Sequence, residues 1–590
     1  MAINTLLPTA EGNAMTIRRA PIAIVRAAAA LVLCTAGAAA APAGTYYVSP
    51  AGSDQAGGTS PASAWKTLQH AADTVVAGDT VVALPGTYAG FNLFTSGAPG
   101  SPITFTGNPG GFDPNPAVVV NTNNGFTGKD RINLEGASWV VIEGFTVLGS
   151  ANPASNRACI RAVTAGHVTV RHNRCDQGGV WGIFTGFVDD LLVEDNEASR
   201  SAQQHGIYVS NSGDRPVVRR NVMWGNHSCG LHMNGDVSQG GDGVISDALV
   251  ERNVIFDNGD GDPAFGAPGG SAINCDGVQD SIIRNNLLWD DHKTGIALYR
   301  IDGGGGSSGN LVHSNTIHLA ADGRWALHIS DGSTGNTVRN NVLINDHATH
   351  GAIEIESGCL PGFSSDFNAV KDRFSLDDTW MTLAQWRAAT GQDAHSFVGT
   401  PALFASAAGG DYTLKAGSAA VDAGTAQLAP DDDLPGHQRP AGAGFDIGAF
   451  ESLACYGSQS GYGAGLAGSG GVLPTLALNG CPDLGTSPSL VLAGGLGGAP
   501  ALLLLGTAAE SLPKWGGTLL VAPTLSVLLP LSGPAGVPGA GGATLVVHVP
   551  ALPSLVGQSA RLQLLVADAG APAGVALSAG LLLQPGAPEP

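Results

Sequence analysis

The sequence predicts an all-β protein: a right-handed parallel β-helix, a solenoid of short strands, followed by a small β-sandwich domain. Three observations predict it. Gly supplies 86 of 590 residues and charged residues only 13%, with no collagen-type Gly period, which is the composition of a turn-dense β protein. The pattern Val/Ile-x-x-Asn recurs at intervals of 23 to 33 residues between Val170 and Asn341. A second set of short aliphatic strands aligns without gaps between those repeats.

The repeat places asparagines at Asn173, Asn196, Asn221, Asn253, Asn286, Asn315 and Asn341. A period near two dozen residues, with insertions absorbed in loops, fits one coil per repeat. Asn tolerates left-handed backbone at a tight turn, and its amide can bond to its equivalents in the coils above and below. Apolar residues alternate beside each Asn, as in Val-Ile-Phe after Asn253 and Leu-Leu-Trp after Asn286, which is strand periodicity.

The rest of the chain divides by composition. Residues 1–41 read as a signal peptide: Arg18 and Arg19 precede the apolar stretch Ala28 to Ala41, and Pro42 follows an Ala-x-Ala cleavage site. Met15 would place the Arg pair closer to the start. The mature protein is expected to be secreted, extracellular or at the cell surface, with no membrane span. Residues 42–130 are expected to form an N-terminal cap and first coils, and 131–452 the β-helix with its closing segment. Residues 456–590, where Lys514 and Arg561 are the only cations, form the sandwich, assigned to attachment or sorting. The net charge of −21 argues against nucleic acid as a partner, so an acidic ligand needs local cations or a metal. Of the cysteines, Cys455 and Cys481 bracket the start of the last domain and are the expected disulfide, and no CxxC spacing signals zinc.

The segments Thr45-Tyr-Tyr-Val-Ser-Pro-Ala-Gly-Ser-Asp54, Trp65-Lys-Thr-Leu68 and Ala77-Gly-Asp-Thr80 through Pro85-Gly-Thr-Tyr88 closely resemble the N-terminal cap of pectate-lyase-like β-helix proteins, some of them secreted polysaccharide lyases. Pro435 to Pro440 followed by Phe445-Asp-Ile-Gly-Ala-Phe-Glu451 resembles the ending that closes many bacterial secreted β-helices. These resemblances span Thr45 to Glu451. They imply a fold far more than a reaction.

Reading alternate residues of the aligned strands gives two outward columns. The first holds Arg161, Phe184, Tyr208, His232, Asn274, Ala297, His328 and Glu354; the second holds Ser210, Asn234, Asp276, Tyr299, Ser330 and Glu356. His205, Asp236, Arg300, Asp302 and Arg324 flank them. An idle solvated sheet would carry Thr, Ser and Lys, so this concentration of His, Tyr, Arg and Asp marks a candidate site. β-Elimination on a uronic-acid polymer must neutralise the carboxylate, remove the neighbouring proton and protonate the departing oxygen. The expected catalytic set is His232 as base, Tyr299 as acid, Arg300 on the carboxylate, and His205. Tyr208, Asn234, Asn274, His328 and Arg324 are expected to bind substrate, and Asp236, Asp276 and Asp302 to offer oxygens to Ca²⁺. The partner is an acidic polysaccharide.

Each of these residues also has a structural explanation. An exposed His is more often a hydrogen-bonded surface residue, and the aspartates beside Gly are placed to cap turns. Lys293 beside His292 falls outside the columns. Gly303 to Gly306 lacks the Gly-Lys-Ser/Thr of a phosphate loop, and Asp431 to Asp433 solvates a loop. The paired Asp, His-Gly and Arg-Ile-Lys signatures of a β-helix polygalacturonase are missing as a set, which ranks glycoside hydrolysis below elimination. A non-catalytic glycan-binding or surface protein is the alternative.

Overall fold

A computed structural model describes residues 43–587, apart from 110, 112–113, 262, 266–268, 416, 443 and 453–455. The signal segment 1–41 and Cys455 thus lie outside the described residues; Cys481 is disulfide-bonded.

Among the described residues the coil region builds three sheets of twelve strands each. Apart from Thr379–Met381, which pairs antiparallel at one end, each strand pairs in parallel with its counterpart one coil away, which fixes the repeat. Val170, Val193, Val218, Val250, Ile283, Val312 and Val338 form one such row. Their side chains are buried in one continuous apolar core running from Val48 to Trp386. Strand spacing of about 4.8 Å sets the rise per coil.

The expected Asn ladder is present and extends one coil further than the repeat, to Asn368. The backbone N–H of each Asn donates to the side-chain oxygen of the next: Asn173 to Asn196 at 3.0 Å, Asn253 to Asn286 at 3.0 Å, Asn341 to Asn368 at 2.9 Å. Each side-chain amide also donates to a carbonyl, as Asn196 does to Val170 at 2.8 Å, so these buried groups are satisfied. One detail differs from expectation. The left-handed residue is the one before each Asn (His172, Asp195, Arg220, Arg252, Asn285, Ser314 and Asn340), and the Asn itself supplies the bonds that hold the turn.

A helix closes the core at either end. Helix α1, Leu68–Thr74, is capped by the Thr67 side chain and buries Leu68, Ala71 and Ala72. Helix α2, Leu383–Thr390, begins in a capping box of Thr382 and Gln385. It buries Trp386, stacked on Phe374 with centroids 5.1 Å apart. The sequence reading assigned closure to the Pro435–Glu451 region. The structure runs the stretch from Thr425 to Glu451 back along the outside of the coils, Arg439 reaching Asn285 and Ala449 reaching Thr316. Thr425 meets Asn340, Gln427 meets His313, and Asp432 and Leu434 reach Asn285 and Arg252. It covers an apolar patch containing Leu287, Val342 and Ile344, and it is pinned by Arg439 and Glu451, a fully buried ion pair at 2.6 Å.

Residues 458–584 form antiparallel sheets, among them a six-stranded one, around apolar clusters of their own.

Candidate functional site

Seven consecutive strands of one sheet carry the candidate site: β1 (Trp181–Asp189), β2 (Ile207–Ser210), β3 (Leu231–Asn234), β4 (Ser271–Asp276), β5 (Thr294–Tyr299), β6 (Leu327–Ile329) and β7 (Ile353–Ile355). Their pairing puts Arg161, Phe184, Tyr208, His232, Asn274, Ala297, His328 and Glu354 in one row across successive coils. Ser210, Asn234, Asp276 and Tyr299 form the second row. Inward neighbours such as Ile207, Met233 and Leu298 anchor the strands in the core, so the outward residues stand on a rigid surface.

Two phenols face two amides across this surface. Asn274 donates to the Tyr299 hydroxyl oxygen at 2.7 Å, and Asn234 donates to that of Tyr208 at 3.2 Å. Burial pushes the Tyr208 phenol up to about 12 and raises Tyr299 as well, so both stay protonated at neutral pH. With its oxygen already accepting, the Tyr299 O–H is free to donate outward.

The two expected catalytic histidines touch each other, with His232 Nδ1 and His205 Nε2 3.0 Å apart. The rest of the chain fixes the direction of that bond. The Cys229 N–H donates to His205 Nδ1 at 3.3 Å, so the neutral ring carries its hydrogen on Nε2 and gives it to His232 Nδ1. The remaining hydrogen of His232 therefore sits on Nε2, which is buried and has no hydrogen-bond partner among the described residues. Burial lowers His232 to about 4 and lowers His205 too, so the pair is neutral at pH 7. His232 stacks on Tyr208 with centroids 4.8 Å apart. In this arrangement it is a hydrogen donor with no free lone pair.

His328 is held by side chains alone. Its Nδ1 lies 2.8 Å from Glu354 Oε2 and its Nε2 lies 3.1 Å from Ser330 Oγ. Ser330 gives its hydrogen to Asp331 at 2.7 Å. With the Ser330 hydrogen directed to Asp331, Ser330 Oγ can only accept from His328 Nε2, so Nε2 offers a lone pair only when the Ser330 hydroxyl turns aside. It lines a cleft of about 460 Å³ with Glu354, Glu356, Asp377 and Asp378. Between Asn274 and His328 the row carries Ala297, which is buried.

Arg300 and Arg324 are exposed, and among the described residues neither forms an ion pair. The three aspartates do not converge. Asp276 is buried and its two oxygens accept the N–H groups of Ile301, Asp302 and Gly303 at 2.8 to 2.9 Å, anchoring that loop. Asp236 caps a turn of 3₁₀ helix through Ser238, and exposed Asp302 accepts from Asn234 at 3.5 Å. Among the described residues, the His/Cys/Asp/Glu groups whose donor atoms lie within 4.8 Å of one another are His205–Cys229–His232 and Asp257–Asp260–His292. The sequence reading passed over Cys229, although Cys229-Gly-Leu-His232 has ligand spacing. It also missed the His328–Glu354 pairing, which only the register reveals. A cleft of about 640 Å³ lies elsewhere, near the N-terminal end, with exposed Phe94 and Phe126 in its lining.

Residues 130–267 match the family model of the right-handed β-helix region, in agreement with three parallel sheets stacked coil on coil. The coil region is a right-handed parallel β-helix. Residues 237–352 of this β-helix also match the model of a periplasmic copper-binding protein (NosD). Among solved structures, the chain is similar to a pectate lyase at 16% identity, covering 69% of this chain and 96% of that one, with a TM-score of 0.46. It is similar to a rhamnogalacturonan lyase at 16% identity, covering 61% and 90%, with a TM-score of 0.42. An alginate lyase from Paenibacillus sp. str. FPU-7 gives 19% identity, 48% and 94% coverage, and a TM-score of 0.38. No curated protein matches the sequence. Among the described residues no helix is long and apolar enough to cross a membrane.

Proposed function

We propose that the protein is a secreted enzyme that binds an acidic polysaccharide on this outward face and cleaves it by β-elimination beside Tyr299 and His328. The observation that carries the reading is the juxtaposition of two oriented proton-transfer groups on adjacent coils. Tyr299 is a protonated phenol whose oxygen already accepts from Asn274. His328 is an imidazole backed by Glu354. A spacing of about 4.8 Å between coils brings such groups within one sugar ring. Arg300 would neutralise the uronate carboxylate and acidify the neighbouring C–H. With the Ser330 hydroxyl turned aside by substrate, His328 Nε2 would take that proton, and Tyr299 would protonate the departing glycosidic oxygen, leaving a conjugated double bond. Tyr208 and Arg324 would hold neighbouring sugars, with buried Asn234 positioning the Tyr208 hydroxyl. The base is thus His328 in place of His232, because the group on His328 Nε2 is a rotatable hydroxyl, whereas the relay from Cys229 through His205 holds the His232 lone pair from a buried backbone N–H. Calcium has no part in this reading, since the Asp276 oxygens are engaged by backbone.

A second reading rests on the four carboxylates of the 460 Å³ cleft, which suit glycoside hydrolysis by a carboxylate pair. Purified protein incubated with pectate, alginate and glycosaminoglycans separates the readings. Elimination raises the ultraviolet absorbance of the unsaturated product; hydrolysis yields reducing ends without it; binding alone yields neither. Tyr299→Phe and His328→Gln should each lower kcat by about 100-fold or more, the usual share of a positioned acid or base. His232→Gln should stay within about tenfold of wild type. Full loss in His232→Gln with wild-type rates in His328→Gln would return the base to His232.

A further inference from the structure

We infer that His205, Cys229 and His232 form a binding site for one thiolate-preferring d¹⁰ ion, Zn²⁺ or Cu⁺. Their donor atoms lie within 4.8 Å of one another. His205 and Cys229 are buried at 7% and 1% exposure and precede two adjacent strands, His232 lies within the second, and the inward residues of both strands are locked in the core. Two imidazoles and a thiolate are a donor set for zinc or cuprous ion and a poor one for calcium or magnesium. The inference is independent of any glycan chemistry. The stretch matching the copper-binding protein model starts at residue 237, beyond all three ligands, so it lends them nothing.

The geometry needs only small adjustments. Two nitrogens on a tetrahedral ion lie about 3.3 Å apart and a nitrogen and sulfur about 3.6 Å apart, from bond lengths near 2.05 and 2.3 Å. His205 Nε2 and His232 Nδ1 stand at 3.0 Å, so the rings part by a few tenths of an ångström. Both imidazoles are neutral at pH 7, since burial lowers them, and neutral rings are what an ion requires. The Cys229 thiol, raised to about 11 by burial, has only weak partners, the Ser271 N–H at 3.4 Å and the Ser228 hydroxyl at 3.8 Å. Loading expels the thiol proton as the metal–sulfur bond forms. The ion also takes the place of the hydrogen between the rings, which moves to His205 Nδ1 and opens the 3.3 Å contact with the Cys229 N–H. Proton release makes affinity rise with pH. His232 keeps its hydrogen on Nε2 in either state.

Anaerobic titration of chelator-stripped full-length protein with Co²⁺ tests the site. Expected are one equivalent bound, an intense thiolate-to-cobalt charge-transfer band, tetrahedral visible bands, and displacement by Zn²⁺. Cys229→Ser should abolish the charge-transfer band, and His232→Gln should weaken binding by more than about tenfold. Cys275→Ser, which removes a core thiol on the next strand, should leave both unchanged. Thermal midpoints of the metal-free variants verify that each is folded. Absence of the band in wild type, its survival in folded Cys229→Ser, or equal loss in folded Cys275→Ser would overturn the assignment. Because the readout is absorption and not turnover, failure to cleave any glycan leaves it intact.

Discussion

Asp291 occupies a position in a second amide ladder where the two preceding coils carry Asn226 and Asn258. Its Oδ1 accepts from the Asn258 backbone at 3.1 Å and from the Asn258 side chain at 2.9 Å, while Oδ2 is buried without a hydrogen-bond partner among the described residues. Burial therefore raises its carboxyl to about 7 from an ordinary 3.8. The folded chain then binds more protons than the unfolded chain between those values, so stability falls as pH rises from about 3.8 to 7. The loss is roughly 4 kcal/mol at 1.4 kcal/mol per pKa unit. His232 and His313, both lowered to about 4 by burial, act with the opposite sign between about 4 and 6.5. Comparing a single variant with wild type cancels them. Asp291→Asn should remove the alkaline loss and raise the denaturation midpoint above wild type at pH 8, with little change at pH 4. Parallel curves for the two proteins would show that Asp291 is not held protonated. At this scale the sequence was only partly legible. Outward facing of Tyr208, His232, Asn274 and Tyr299 follows from period-two alternation. The direction of the proton between His205 and His232 depends on a backbone N–H from Cys229, which no spacing rule encodes.

The ladder makes each coil depend on its neighbours, which is where element stability resides. Asn253 accepts from Asn221 at 3.0 and 3.1 Å and donates to Val218 and Asn286 at 2.9 Å, all buried. Asn253→Ala leaves the Asn221 backbone N–H and the Val218 carbonyl without these partners in a dry site. An unmet buried group costs about 1–3 kcal/mol, so the change should cost roughly 2–4 kcal/mol. Asn121→Ala on an exposed strand should stay within about 0.5 kcal/mol. Chemical denaturation of both reads the difference, and equal midpoints would deny the ladder its role. The repeat itself was legible because every coil repeats the same demand on its turn. Closure was not. The Phe445–Glu451 segment is apolar enough to end a core, yet the core is ended by α2, whose Trp386 fills the last coil. The later segment covers outward apolar residues such as Leu287 and Val342, which alternation alone places facing solvent.

Across the whole molecule, the β-helix core and the clusters of residues 458–584 share no member. That separation follows from composition: beyond Tyr456 the ladder asparagines and most charges stop, and Gly- and Pro-bounded apolar runs take over. In a solenoid, each coil is stabilised by its nearest neighbours and by its end caps, and α1 and α2 already supply both caps. The C-terminal domain is therefore not needed to close the β-helix. It also exposes aliphatic residues on one strand, Leu525, Val527 and Leu528 at 55%, 40% and 74%, a surface suited to attachment. Removing residues 456–590 should leave the unfolding midpoint of the coils within about 0.5 kcal/mol of the full chain and leave turnover of a soluble glycan unchanged. Retention on a hydrophobic matrix should fall. If the shortened chain lost its cooperative transition, the last domain would be a structural part of the solenoid, and its exposed strand would have to be explained by stability instead of by attachment.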